Sequence, residues 1–152
     1  MVDKRVCVLL FSFACTTETP DDIWSVQVTG LETTCVESDQ GYQSNHLYEL
    51  YYTGSEFSLD VNGEWFATGQ VRSCTFEYES VVYLDETTDG LFRWKITGSA
   101  QARNRAGGCN DTIPEGLDWS GTETLTVVSS DADSIEEGCS YEMQVEGTYF
   151  EQ

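Results

Sequence analysis

The sequence predicts an all-β fold, an antiparallel meander of seven or eight strands in a single domain. From Ile23 onward, apolar and polar residues alternate with a period of two, turn-forming residues separate the alternating runs, and no helical pattern exceeds a turn or two. We favour an up-and-down barrel over a two-sheet sandwich, because consecutive hairpins dominate and no Greek-key crossover is evident.

The strands follow from this alternation. The first begins at Trp24, whose side chain shares a face with Val26 and Val28. Residues 92–97, 119–127 and 141–149 alternate in the same way. Each run is typical of a strand with one face in the core and the other in solvent.

Glycine-containing turns separate the strands. Asn62-Gly63 is a strong signal for a two-residue hairpin, because both turn positions favour positive φ. A second hairpin is expected at Gly54, and residues 87–90 form a further turn. Residues 65–84 are either one long strand or two strands broken at Gly69, and the strand count depends on this segment.

Charge narrows the range of partners. The 152 residues include 27 Asp and Glu but only 7 Lys and Arg, a formal net charge of -20. A surface this negative repels phosphate backbones and anionic membrane faces, so nucleic acid is not expected as a partner. The apolar and aromatic content is too high for a disordered chain.

The first residues have the features of an export signal. Lys4 and Arg5 precede an apolar run over residues 6–14, which as a helix would span about 14 Å, roughly half of a bilayer core. We therefore interpret residues 1–14 as a secretory signal peptide rather than a membrane anchor.

The end of this run, Ser12-Phe13-Ala14-Cys15, resembles the lipobox of bacterial lipoproteins, with Ser12 where that family usually has leucine. The resemblance implies that Cys15 carries lipid, that residues 15–22 tether the protein to a membrane, and that residues 23–152 form the domain. Because Thr16 rather than aspartate follows Cys15, it also implies the outer membrane or cell surface. Two alternatives remain open: ordinary cleavage to a soluble secreted protein, and retention of the apolar segment.

The cysteines are consistent with export, since six occur in a short chain. Cys7 would leave with the signal and Cys15 would carry lipid, which leaves an even number for disulfides. Eight-strand barrel topology predicts the pairs Cys35–Cys139 and Cys74–Cys109, because each pair lies at the same end of neighbouring strands. If residues 65–84 are one strand, Cys35–Cys109 becomes possible.

Catalytic motifs are weak. His46 is the single histidine, no Gly-x-Ser-x-Gly elbow is present, and we expect His46 to lie at the surface. Glu77 and Glu79 share a strand face and could form a glycosidase-like pair, but such a face more often points to solvent. We therefore expect no catalytic residues and no cofactor.

An acidic loop offers a possible metal site. Asp131, Asp133 and Glu136 begin like a calcium-binding EF-hand loop, but Ile135 and the absence of the required glycine break that pattern. A different calcium site or a solvated loop are the two interpretations.

Two further features suggest ligand contact. Trp65 and Phe66 point to opposite faces of a strand, so one of them is predicted to be an exposed aromatic residue. Arg93 and Lys95 share a strand face and form either a docking patch for an anionic ligand or the partners of cross-strand carboxylates.

Together these features predict a lipid-anchored cell-envelope protein with a non-catalytic binding or structural role, whose partner is a small molecule, a glycan or a protein. The alternative is a soluble secreted domain that binds or hydrolyses carbohydrate, and a third possibility is a subunit of a larger surface assembly. The interior of the domain distinguishes the ligand classes: an apolar cavity favours a small molecule, whereas a filled core with an exposed aromatic strip favours protein or glycan contact.

Overall fold

The computed structural model describes residues 18–35, 41–103 and 113–150, and this part of the chain contains nine strands and no helix. None of the described residues therefore lies in a helix that could cross a membrane. The strands are β1 (Asp22–Thr33), β2 (Gln43–Thr53), β3 (Glu56–Val61), β4 (Trp65–Arg72), β5 (Thr75–Ser80), β6 (Tyr83–Thr87), β7 (Gly90–Ala102), β8 (Trp119–Ser130) and β9 (Ser140–Tyr149).

Eight of these strands close into an antiparallel up-and-down barrel, and β6 is an additional strand. Successive strands pair from β1 to β5 and from β7 to β9, β1 pairs with β9, and β5 pairs with β7 to complete the circle. The predicted barrel is confirmed, and the two-sheet sandwich is wrong. Inward side chains alternate with outward ones, most regularly along β1, β3 and β5, as the sequence pattern predicts.

The hairpin turns lie close to their predicted positions. Asn62 and Gly63 have φ values of 53° and 71°, and Gly54 has 68°. Because Val61 pairs with Trp65, the β3–β4 loop also includes Glu64 and is one residue longer than expected.

Residues 65–84 differ from both sequence interpretations. They form β4, β5 and the first part of β6, and the first break lies at Ser73 and Cys74, which have φ values of 48° and 63°. Gly69 lies inside β4 opposite Tyr78, where an added Cβ would overlap the Glu77 carbonyl oxygen. This glycine is needed for close packing within the sheet rather than for a turn.

The disulfide prediction is confirmed for one pair. Cys35 and Cys139 are bonded, with their Cα atoms 5.0 Å apart, just after β1 and just before β9. Cys74 is also in disulfide form. Cys109 lies outside the described residues, so its pairing with Cys74 stays a prediction.

The alternating strand directions give the barrel two distinct ends. We call the end where β1 begins the lower end and the opposite end, which carries the Cys35–Cys139 bridge, the upper end. Strands β1 and β8 have 12 residues each, so the ends lie on the order of 30 Å apart at the usual rise and tilt.

Candidate functional site

The interior of the barrel is filled by aromatic rings. Trp119 is fully buried, and its ring centroid lies 5.4 Å from that of Trp24, 5.0 Å from Phe76 and 6.3 Å from Tyr48. Phe57 packs on Phe76 with centroids 5.4 Å apart. The chain's own side chains therefore occupy the middle of the barrel, where a ligand-carrying barrel would have its cavity.

One carboxyl group lies among these rings. Glu123 is 2% exposed, and its Oε1 accepts hydrogen bonds from the Tyr48 hydroxyl at 2.7 Å and the Tyr78 hydroxyl at 2.6 Å. Burial raises the pKa of Glu123, although the hydrogen bonds from Tyr78 and Tyr48 oppose this shift. Burial also raises the pKa of both tyrosines, and the charge of Glu123 adds to it.

The amino-acid sequence alone does not predict this internal cluster. A signal for it exists in β8, where Glu123 occupies an inward position between Gly121 and Leu125. The alternation that identifies the strand therefore places a carboxyl in the core, but it does not reveal which tyrosines reach it.

A second tyrosine–carboxyl cluster lies at the lower end. The Tyr52 hydroxyl donates to Asp22 Oδ2 at 2.8 Å, and the Tyr149 hydroxyl donates to Asp22 Oδ1. The neighbouring Asp21 accepts the Tyr52 backbone N–H at 2.7 Å. These bonds fasten the start of β1 to β2 and β9.

His46 is half-buried at the upper end, in an arrangement that resembles a catalytic triad. Its Nε2 lies 2.7 Å from Ser44 Oγ, and its Nδ1 lies 2.8 Å from Asn62 Nδ2. Because Asn62 Oδ1 accepts the Leu47 N–H at 2.7 Å, the amide nitrogen is the atom that faces the ring.

This orientation determines the tautomer. An amide nitrogen only donates, so Nδ1 of His46 accepts, and the ring proton lies on Nε2 and is donated to Ser44. A general base would have to accept the serine proton at Nε2. The arrangement therefore fixes the loop at Asn62 and does not activate Ser44.

Two depressions on the outside of the barrel form one polar band, because both are lined by residues 68–70. The first, of about 560 Å³, is lined by Glu77 and Glu79 together with threonine and serine hydroxyls. The second, of about 880 Å³, reaches Glu18 and Asp21 at the lower end. Glu77 and Glu79 point to solvent, as expected.

The predicted aromatic pair is divided between the two faces of β4. Phe66 is 38% exposed and is the outward member, whereas Trp65 is 7% exposed and packs in the core beside Tyr48. The expectation of ligand contact is therefore wrong for Trp65, because the period-two pattern places it inside the barrel.

The two residues of the predicted cation pair, Arg93 and Lys95, have different surroundings. Lys95 Nζ lies 2.7 Å from Glu79 Oε2, so this lysine neutralises a cross-strand carboxylate. Arg93 is exposed and lies opposite Leu84 of β6. Lys95 therefore follows the cross-strand interpretation, and a docking role for Arg93 stays a prediction.

The acidic loop has a structural role. Asp131 Oδ1 accepts the Leu91 N–H at 2.6 Å at the start of β7. Nowhere in the described ranges do three His, Cys, Asp or Glu side chains gather as metal ligands, so Asp131, Asp133 and Glu136 are not brought together and the loop follows the second interpretation, without calcium.

Exposed apolar side chains gather around β6. Val81, Val82 and Leu84 are 60%, 50% and 58% exposed. Six exposed apolar residues lie in this region. Four of the six are on β4, on β6 or in the segment between β5 and β6, and the other two are on the adjoining parts of β7 and β8. We call the six residues the β6 patch: Phe66, Val81, Val82, Leu84, Leu91 and Val128.

The comparisons with known proteins add no functional assignment. No protein-family model, curated protein or solved structure matches this chain. The β6 patch and the polar band are therefore the candidate contact surfaces on structural grounds alone.

Proposed function

We propose that the protein is a lipid-anchored binding protein of the bacterial cell envelope, without a catalytic role, that recognises its partner on the outside of the barrel. The observation that carries this proposal is the filled interior. Because Trp24, Tyr48, Phe76 and Trp119 occupy the middle of the barrel, recognition by the part of the chain that the structure describes falls to its outer surfaces.

The position of the tether supports an orientation. Residues 18–21 lead into β1 at the lower end, so a lipid on Cys15 would hold that end towards the membrane. The β6 patch adjoins the β6–β7 hairpin at the upper end and would face away from the membrane. Apolar side chains gathered at such a position are typical of a protein contact rather than a lipid contact.

A non-catalytic role is supported by the polar clusters. His46 donates to Ser44 rather than accepting from it, and Glu123 is enclosed in the core. Neither group presents a reactive atom to a substrate on the surface.

Fractionation of the full chain expressed in a bacterial host tests the anchor. We expect the protein in the detergent phase, with an intact mass that shows a lipidated Cys15 at the new N-terminus. A Cys15→Ala variant should lose the lipid, whereas Cys7→Ala, in the removed signal peptide, should change nothing. An unmodified Cys15 in membrane-extracted protein would contradict the proposal.

The polar band favours a second candidate, a soluble secreted domain that binds carbohydrate. Its carboxylates and hydroxyls match the hydrogen-bonding groups of a sugar chain, and its length suits an extended ligand. Titration with neutral oligosaccharides tests it, with Glu77→Gln as the variant and the exposed Glu142→Gln as the control. Weaker binding in the first variant alone, by a protein recovered free of membranes, would favour this candidate.

A further inference from the structure

Strand β7 changes its partner part-way along its length. Its lower half pairs with β5, and its upper half pairs with β6. At the switch, Ile96 N–H donates to the buried Ser80 hydroxyl at 2.8 Å. After Ser80, the last residue of β5, the chain stops pairing with β4 and continues through Val81 and Val82 into β6. Within the described residues, β6 is the strand with a single neighbour, so its outer edge is open.

On both sides of this open edge, backbone N–H groups donate hydrogen bonds to side chains. Phe66 N–H, on β4, donates to the Tyr83 hydroxyl at 2.6 Å. Glu86 N–H, on β6, donates to Asp85 Oδ1 at 2.8 Å. Because alternate residues of a strand present their backbone groups to the same side, Leu84 N–H faces the same edge as Glu86 N–H. A peptide strand could replace these side-chain partners with main-chain carbonyls.

The edge is held in place before any partner arrives. Tyr83 stacks on Trp94 with ring centroids 4.7 Å apart. Asp89, in the β6–β7 turn, accepts hydrogen bonds from the Thr87 hydroxyl at 2.6 Å and from Ser134 N–H at 2.8 Å. A preformed edge reduces the conformational entropy that the protein itself loses when a partner strand binds.

Charge and polarity identify the partner chemistry. Leu84 offers an apolar contact on one face of β6, next to the neighbouring valines, and the exposed Asp85 places a carboxylate on the opposite face. A second copy of this chain also carries a net charge of -20 and would be repelled, as would an anionic membrane. A segment that alternates basic and apolar residues complements both features.

We propose that the β6 edge is a strand-addition site for an extended, basic segment of a partner protein. This inference rests on the proposed binding role of the outer surface. The partner segment would pair with the edge at Leu84 and Glu86, place apolar side chains on the β6 patch, and place its cations on the opposite face of the strand, beside Asp85.

The test uses the full chain, in phosphatidylcholine nanodiscs if it is recovered with membranes and in buffer if it is recovered free. The probe is a short acetylated peptide of alternating lysine and valine, and a glutamate–valine peptide is its control. We expect the lysine peptide to bind with shifts of the Leu84 and Glu86 amide resonances, and the glutamate peptide to bind about tenfold more weakly or not at all.

Two substitutions separate backbone pairing from apolar contact. Leu84→Pro removes an edge donor, which an edge strand tolerates, and should weaken peptide binding about tenfold or more. Leu84→Thr keeps the donor and should weaken it less, and Leu47→Thr, at an exposed leucine elsewhere, should leave it unchanged.

Three results would overturn the proposal: no binding of the lysine peptide, equal binding by Leu84→Pro, or association of two copies through β6. Because the titration is read on the protein wherever it fractionates, failure of the docking site is distinguished from failure of the lipid anchor.

Discussion

The barrel contains two clusters of the same composition, in which two tyrosine hydroxyls donate to one carboxyl group. In the inner cluster, Tyr48 and Tyr78 donate to Glu123, and the three residues come from β2, β5 and β8, which are not neighbours in the sheet. In the lower cluster, Tyr52 and Tyr149 donate to Asp22, and their strands β2 and β9 both pair with β1.

The difference shows how position changes the consequence of the same chemistry. The inner cluster connects strands across the barrel, and its carboxyl is enclosed, so the hydrogen bonds act against a large desolvation cost. The lower cluster fastens adjacent strands where water reaches Asp22, so it secures an end that would otherwise fray. Loss of the inner cluster should therefore affect the whole fold, and loss of the lower cluster should remain local.

The largest expected effect is the removal of one inner ring. Tyr78→Ala deletes a buried aromatic side chain and one donor to Glu123, and should lower the free energy of unfolding by about 3–5 kcal/mol. The matched change at the lower end, Tyr149→Ala, should cost about 1–2 kcal/mol because Tyr149 is partly exposed. Urea denaturation measures both, and equal losses would remove the distinction between the two clusters.

Glycines beside the clusters give the next comparison. A Cβ at Gly98 would overlap the Tyr78 ring, whereas one at Gly147 would lie 3.0 Å from Val26 Cγ2. Gly98→Ala should therefore cost about 1–3 kcal/mol through overpacking, and Gly147→Ala should cost less. Thermal unfolding of the two variants checks this, and a less stable Gly147→Ala would contradict the geometry of the inner cluster.

The pH dependence of stability tests the ionisation of Glu123. Because burial raises the pKa of this carboxyl above its ordinary value of 4.5, the folded protein retains a proton that the unfolded chain releases. Stability from this group is fully present at low pH, and it falls by up to about 1.4 kcal/mol per pH unit above pH 4.5, until the raised pKa is passed.

Glu123→Gln should remove the contribution of this carboxyl to the pH dependence of stability. The variant should therefore become more stable relative to the unaltered protein as the pH rises. Glu142→Gln, on the exposed face of β9, is the control and should leave the pH profile parallel. Denaturation between pH 4 and pH 8 measures the difference, and identical profiles for Glu123→Gln and the unaltered protein would show that the inner carboxyl does not titrate as inferred.

The smallest effects come from single hydroxyl groups. Tyr48→Phe leaves Glu123 Oε1 with Tyr78 as its one tyrosine donor and should cost about 1–2 kcal/mol, because this oxygen is buried and water cannot replace the lost donor. Tyr52→Phe removes the corresponding bond to Asp22 and should cost about 0.5–1 kcal/mol, since water can replace the donor there. Urea denaturation measures the free energy of unfolding of both variants, and equal losses for Tyr48→Phe and Tyr52→Phe would contradict the prediction.

Much of the fold was predictable because it depends on local chemistry. Asn62 and Gly63 adopt the positive φ values that their residue types favour. The Cys35–Cys139 bond joins residues 104 apart and was predictable from the barrel topology instead, because that topology makes their strands neighbours. The segment around Gly69 was not predictable, since a glycine in a sequence indicates a turn and a tight contact equally well. The candidate site was predicted only in part: one member of the Trp65–Phe66 pair is exposed as expected, and it is Phe66, but β6 and its open edge were missed.

The sequence by itself determined which residues form strands, which of their side chains share a face, and where most of the turns lie. These properties depend on backbone preferences and on the period-two geometry of a strand, which act between residues close in the chain. Only the tertiary structure decided which side chains meet across the barrel and where β7 exchanges β5 for β6. Glu123 is identified as inward by its position in β8, but its bonds to Tyr48 and Tyr78 exist because closure of the barrel brings distant strands face to face.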